Sequence, residues 1–133
     1  MQLTKFKLSI FNTNQLRLIR GTGLTPNILC RIGFCLSLQS GHEPKPTNYL
    51  QDGKEFNRYT LLGEWDGLYV ALLRQWCEQK LGGEYSLEDQ FRAHMNNGIP
   101  LVREYVHMAR GRRPSWSIKG ILDAALKTED CSA

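Results

Sequence analysis

The first 38 residues of this 133-residue chain contain no Asp or Glu, yet they carry Lys5, Lys7, Arg17, Arg20 and Arg31. That segment holds +5, more than the +4 of the whole chain. Cysteine is sparse, with four in all, and none is spaced as C-x-x-C or set at a zinc-finger interval from a histidine. This argues against a structural zinc site or a dithiol redox motif. Cys30 and Cys35 lie in an apolar stretch, where a free thiol behaves as a small hydrophobe. The N-terminus lacks the apolar core of a secretory leader, and no apolar run approaches membrane-spanning length. The expected location is therefore the cytoplasm, with reduced thiols.

Signatures of several enzyme classes are also missing. There is no Gly-x-Ser-x-Gly, no His-Glu-x-x-His and no Walker lysine. Gly21-Thr-Gly23 has no further phosphate-loop glycines and follows a predicted helix, not a strand. His42, His94 and His107 are far apart, and each reads as a surface or interface residue. Glu64 and Asp66 sit two apart on a helix, which points them away from each other. Glu88 and Asp89 fit the first turn of a helix, where they complement its dipole. The reading is a non-enzyme without metal or cofactor. Internal repeats and low-complexity tracts are absent as well.

What is present is an ordinary globular composition, 41% hydrophobic and 23% charged. The length suits one domain over residues 1–133. Charge is unevenly spread: residues 39–102 carry −3 and residues 103–113 carry +3, the latter including Arg110, Arg112 and Arg113. Two basic zones flanking an acidic middle suggest a polyanion partner, against the plainer reading of a solvated basic surface.

Residues 3–10 alternate, with Phe6, Leu8 and Ile10 on one face of a strand and Lys5 and Lys7 on the other. Thr13 is the expected cap of a first helix that carries Arg17 and Arg20 and stops at Gly21-Thr-Gly23. Thr25 caps a second helix with Pro26 at its first position, ending near Gly41. The second helix has two apolar stripes, one of Ile28, Leu29, Ile32, Cys35 and Leu36, the other of Cys30, Phe34 and Leu38. A helix apolar nearly all round points to a subunit interface, or to a central helix wrapped by its own chain.

Residues 42–54 are turn-rich, and Phe56–Leu62 has room for one further short strand. Trp65, Leu68, Tyr69, Leu72, Leu73 and Trp76 recur at helical spacing and read as core. Ser86 caps a helix through Phe91 and Met95 that should stop at Asn97-Gly98. Pro100 should open another, which Arg110-Gly-Arg-Arg-Pro114 breaks, and Ser117 should cap a last one through Leu126. The expected fold is mainly α. A ribbon-helix-helix-like strand-helix-helix unit (residues 1–41) precedes an α-helical extension (residues 55–127).

Ribbon-helix-helix proteins pair one strand from each of two subunits and place the polar face of the ribbon in the DNA major groove. Lys5 and Lys7 would occupy that face. Lysines lack the planar fork that reads guanine, so they suit phosphate contact.

A longer match runs through Leu16-Arg-Leu-Ile-Arg and Thr22-Gly-Leu-Thr-Pro-Asn-Ile-Leu-Cys-Arg-Ile-Gly-Phe-Cys-Leu-Ser-Leu38. With Glu55-Phe-Asn-Arg-Tyr-Thr-Leu-Leu-Gly-Glu64, it resembles the DndE family of bacterial DNA sulfur-modification (phosphorothioation) proteins, over roughly residues 3–127. The resemblance implies an accessory DNA-binding homotetramer that prefers nicked duplex. It would act beside a sulfurtransferase-type partner and an ATPase partner. It also implies DNA contact through surface lysines, which falls here on Lys5 and Lys7, with Arg17 and Arg20 nearby. Arg110, Arg112 and Arg113 are further candidates from their charge. The alternative function is a sequence-specific ribbon-helix-helix transcriptional regulator, which the large C-terminal extension disfavours.

Overall fold

The computed structural model describes residues 1–112, with side chains through Ala109. In chain order it holds strand β1 (Lys5–Lys7), helix α1 (Ile10–Leu18) and helix α2 (Pro26–Gln39). Strand β2 (Glu55–Asn57), helix α3 (Arg58–Leu62), helix α4 (Asp66–Lys80) and helix α5 (Leu87–Arg112) follow. The architecture is mainly helical, with the expected strand-helix-helix order at the N-terminus and a helical extension carrying one more short strand.

β1 is shorter than its alternation suggested because Ser9 ends it. The Ser9 hydroxyl accepts the Asn12 N–H at 3.1 Å and caps α1. Thr13, the expected cap, is buried one turn further in. Its hydroxyl donates to the Ser9 carbonyl and accepts the Lys54 N–H, both at 2.9 Å. The second helix starts as expected: the Thr25 hydroxyl accepts the Ile28 N–H at 3.3 Å, and Pro26 fills a position whose N–H would be unused.

β1 finds its partner within its own chain. It runs antiparallel to β2, with Lys5 opposite Asn57, Phe6 opposite Phe56 and Lys7 opposite Glu55. A ribbon shared between two subunits is not needed to pair it. Strand geometry extends only to Asn57 of the segment expected as a strand. The Asn57 side-chain oxygen accepts the N–H groups of Tyr59 and Thr60 at 2.9 and 3.1 Å, which turns Arg58–Leu62 into α3.

α5 departs most from expectation. The hydroxyl of Ser86 accepts the Asp89 N–H at 3.3 Å and starts the helix as predicted. The helix then passes straight through Asn97-Gly98 and Pro100 to Arg112. Gly98 is a packing residue, not a stop. A Cβ added there would lie 2.2 Å from the backbone of Gly33, and one added at Gly33 would lie 2.7 Å from the Gly98 carbonyl. The backbones of α2 and α5 therefore touch at this pair, and only glycine fits on both sides. Pro100 is itself exposed, and the helix continues past it despite the hydrogen bond it cannot donate to the Asn96 carbonyl.

The core forms around this crossing. Leu29, Cys30, Phe34 and Leu36 of α2 meet Phe91, Met95, Ile99 and Val102 of α5. Phe6 and Leu8 join from the N-terminus, and Leu73, Trp76 and Cys77 from α4. The predicted apolar stripe divides, with Leu68 and Leu72 exposed on the outer face of α4 and Trp65 exposed just before it. α5 does not break at Arg110. Arg110 and Arg112 sit in its final turn, while Arg113 and the helix expected after Ser117 lie outside the described residues. None of the helices described is long and apolar enough to cross a membrane.

Candidate nucleic-acid interface

Lys5 and Lys7 project from β1 into solvent because the residue between them is anchored. The Phe6 ring stacks on Phe56 at 5.7 Å and meets the Phe91 ring edge-on at 5.3 Å. The strand backbone is thus fixed to the core, and both ammonium groups leave on its outer side. Among the described residues neither lysine makes an ion pair within 4 Å. The pairing adds something that chain order concealed. Lys7 lies directly across from Glu55, so the face is basic but not free of acid.

Arg17 and Arg20 are both exposed near the end of α1. The Arg20 side chain folds back to donate to the Arg17 carbonyl at 3.3 Å, satisfying a carbonyl of the last helical turn. Arg17 also borders a cavity of about 520 Å3, together with Ile10, Thr13, Pro26, Asp52 and Lys54. Lys54 was not picked out from the sequence. Its Nζ lies 5.0 Å from the Phe56 ring centre, at the rim of the same sheet. Its signal is three-dimensional: only folding brings it beside Arg17, 37 positions earlier in the chain.

Other arginines are committed to the fold. Arg58 is buried, makes an ion pair with Asp66 at 2.7 Å, and donates to the carbonyls of Met1 and Leu3 at 3.1 and 2.8 Å. The Asp66 carboxylate raises the pKa of Arg58 further, through hydrogen bonds and charge, against the cost of burial. Arg92 donates to the Tyr49 carbonyl at 2.9 Å, and Arg31 to the Leu61 carbonyl at 2.6 Å. Arg103 is exposed and bonds Gln15. These contacts show why net charge alone overstates the cations open to a partner.

A second cavity, of about 320 Å3, adjoins the first and shares Ile10 and Asp52 with it. Phe11, Asn12, Asn48, Tyr49 and Asn97 are among its walls. Beneath it lies an amide network. The Asn96 side-chain oxygen accepts the Ser9 N–H and the Asn12 amide, both at 3.0 Å, and its own amide donates to the Arg92 carbonyl at 2.8 Å. Those bonds fix the orientation of the Asn12 amide and leave its oxygen buried without a partner among the described residues.

One buried pair has the look of a nucleophile and its base. The Ser37 hydroxyl lies 2.6 Å from His94 Nδ1, and Asn97 donates to the same hydroxyl at 2.8 Å. Both Ser37 and His94 are fully buried, so no substrate reaches the hydroxyl in this arrangement. Burial lowers the His94 pKa to about 4, with a smaller push from His42, and the ring packs edge-on against Trp76 at 4.2 Å. Burial also raises the Cys30 thiol to about 12 and the Cys77 thiol to about 11. Cys35 is exposed as a residue, yet desolvation of its thiol outweighs a hydrogen bond with Tyr69 and raises it too. Thiols held protonated are poor nucleophiles for sulfur chemistry. No cluster of three metal-ligating residues occurs among the described residues.

Comparison with known proteins places this geometry. No curated protein matches the chain. Chains of several solved structures do, including the following two. One is a DndE glycine-to-lysine mutant involved in DNA phosphorothioation, 26% identical with a TM-score of 0.62, covering 77% of this chain and 99% of its own. The other is DndE from Escherichia coli, involved in DNA phosphorothioation modification, 29% identical with a TM-score of 0.59, covering 75% of this chain and 97% of its own. The family model described as "DNA sulphur modification protein DndE" matches residues 5–110, which span the lysine strand, both cavities and the glycine crossing. The chain belongs to the DndE family of DNA phosphorothioation proteins.

Proposed function

We propose that this chain is a non-catalytic DNA-binding subunit of a phosphorothioation system, working in the cytoplasm as a homotetramer beside the system's other subunits. It contacts the phosphate backbone and favours nicked duplex. The observation that carries this reading is the pair Lys5 and Lys7, held outward by a strand whose central residue is locked into the core. A rigid mount reduces the ordering cost of each phosphate contact. Arg17 extends the basic surface along α1. Arg20, Arg110, Arg112 and Arg113 are weaker contributors in this reading, the first because its side chain is turned toward its own helix.

Recognition of this kind is electrostatic and independent of sequence. A nick makes duplex DNA easier to bend, so a preference for nicks is a preference for deformability. Tetramer formation multiplies the contacts, because each subunit brings its own pair of strand lysines. The high thiol pKa values and the sealed Ser37–His94 pair support a non-catalytic role.

The test is a salt titration of binding to intact, nicked and random duplexes, repeated with Lys5→Ala and Lys7→Ala. Log affinity should fall against log salt with a slope of about −0.9 per neutralised phosphate, and each lysine mutant should flatten the slope by about that amount. Mutants that bind like wild type at every salt level defeat the strand-face reading. Magnesium-dependent strand cleavage by the pure protein defeats the non-enzyme reading.

A further inference from the structure

The two cavities beside α1 meet along a shared rim of Ile10 and Asp52. Their linings differ in chemistry. The larger presents two cations, Arg17 and Lys54. The smaller presents aromatic rings and amides, with Phe11, Tyr49, Asn48 and Asn97 among them. Both volumes, about 520 and 320 Å3, fall in the usual range for ligand pockets.

Two features of the smaller cavity are unexplained by folding alone. Phe11 is 63% exposed, second among the large apolar side chains of the described residues after Leu50, which lines the same cavity. Asn12, 2% exposed, also lines the cavity and keeps a buried oxygen with no partner among the described residues. An unmet acceptor in a native fold calls for an explanation, and a donor that arrives with a ligand supplies one. Asp52 sits on the rim between the cavities, with one oxygen already taken by the Ile10 N–H at 2.8 Å. The remaining balance of the larger cavity is positive.

A cationic cavity joined to an aromatic and amide-lined one has the layout of a nucleotide. We infer that these paired cavities hold the 5′-phosphorylated terminal nucleotide at a strand break. The phosphate lies between Arg17 and Lys54, and the unstacked base lies against Phe11 among the asparagines. The inference rests on the proposed nicked-DNA reading and deepens it: the nick is recognised through its freed end as well as through flexibility. A base beside a nick leaves the stack at lower cost than one inside continuous duplex. Aromatic stacking then holds it without regard to sequence.

The experiment uses the full chain and nicked duplexes carrying 2-aminopurine, a base that brightens on unstacking, either as the 5′-terminal nucleotide of the nick or deep in the duplex. The expected result is a fluorescence rise on binding at the nick and none at the internal position. Phe11→Ala and Asn48→Ala alter exposed residues, so the fold should persist, as circular dichroism would verify. Phe11→Ala should abolish the rise and weaken nicked-duplex binding about tenfold, the scale of one lost base–aromatic stack. Arg17→Ala with Lys54→Ala should erase the difference between nicks with and without a 5′-phosphate.

Saturable nicked-duplex binding with unchanged fluorescence at the nick overturns this inference and leaves the lysine-strand reading standing. A rise at the internal position as well overturns recognition of a strand end. Failure to bind any duplex at low salt defeats both readings together.

Discussion

α2 and α5 cross at the centre of the molecule, and each is the opposite of what its composition suggests. α2 is the more apolar, with Ile, Leu, Phe and Cys around most of its circumference, yet Cys35 is exposed and Ile28 and Ile32 are only half-buried. α5 carries Arg92, His94 and Asn96 in its first half, yet all residues from Phe91 to Asn96 are buried. The difference teaches that burial follows position among neighbours, and that a polar residue can be central when its hydrogen bonds are supplied. Arg92 has Tyr49, Asn96 has Ser9 and Asn12, and His94 has Ser37 at Nδ1, while its Nε2 is buried without a partner among the described residues.

The largest expected effect comes from breaking the contact that sets both helices. Gly98→Ala places a methyl group 2.2 Å from the Gly33 backbone, and backbone cannot swing aside as a side chain can. The helices must separate, which should cost about 3 kcal/mol or more, the upper end of overpacking penalties. Urea unfolding of the mutant measures it. A neutral or stabilising result would mean that the crossing is loose and that Gly98 is an ordinary helix glycine, since alanine favours a helix over glycine by about 1 kcal/mol.

Next in size is the charge state of the buried His94. Its folded pKa, about 4, lies below the ordinary 6.5. Between those values the unfolded chain binds the proton and the folded chain does not. Stability therefore falls as pH drops from 6.5 to 4, and this group adds no further loss below 4. Two and a half units correspond to about 3 kcal/mol at 1.36 kcal/mol per unit. Unfolding free energy measured across that window should show the slope, and His94→Gln should remove it. A wild-type profile that stays flat from pH 6.5 to 4 would place His94 in a wetter setting than its packing against Trp76 indicates.

Much of this arrangement was legible in the sequence, and the part that was not has a consistent physical cause. The caps at Thr25 and Ser86 were readable because the hydroxyl and the N–H it accepts lie three residues apart. The outward direction of Lys5 and Lys7 followed from the two-residue period of a strand. Gly98 was misread as a helix stop because its reason, Gly33, lies 65 positions away. Likewise, Glu55 faces Lys7 and Lys54 joins Arg17 only after β2 returns to β1. Local chemistry announced the starts of α2 and α5. Pairings between elements, which decide both the charge of the candidate surface and the shape of its cavities, required the fold.

The smallest effect sharpens the comparison from the side of α2. Cys30 and Cys35 are one and a half turns apart on the same helix, the first fully buried and the second exposed. In an isolated subunit Cys35→Ser should change stability by no more than about 0.5 kcal/mol, as for most surface substitutions. Cys30→Ser buries a hydroxyl in an apolar site and should cost about 1–3 kcal/mol. If subunits of the proposed tetramer meet along the Ile28, Ile32 and Cys35 edge, the first value will depend on protein concentration, because the mutation then also weakens assembly. Thermal unfolding of Cys35→Ser over a hundredfold range of concentration decides this. A shift from wild type that grows with concentration assigns the edge to an interface. A small constant shift leaves α2 as a helix covered by its own chain, and moves the search for the interface to the exposed Leu68 and Leu72 face of α4 and the exposed Trp65 just before it.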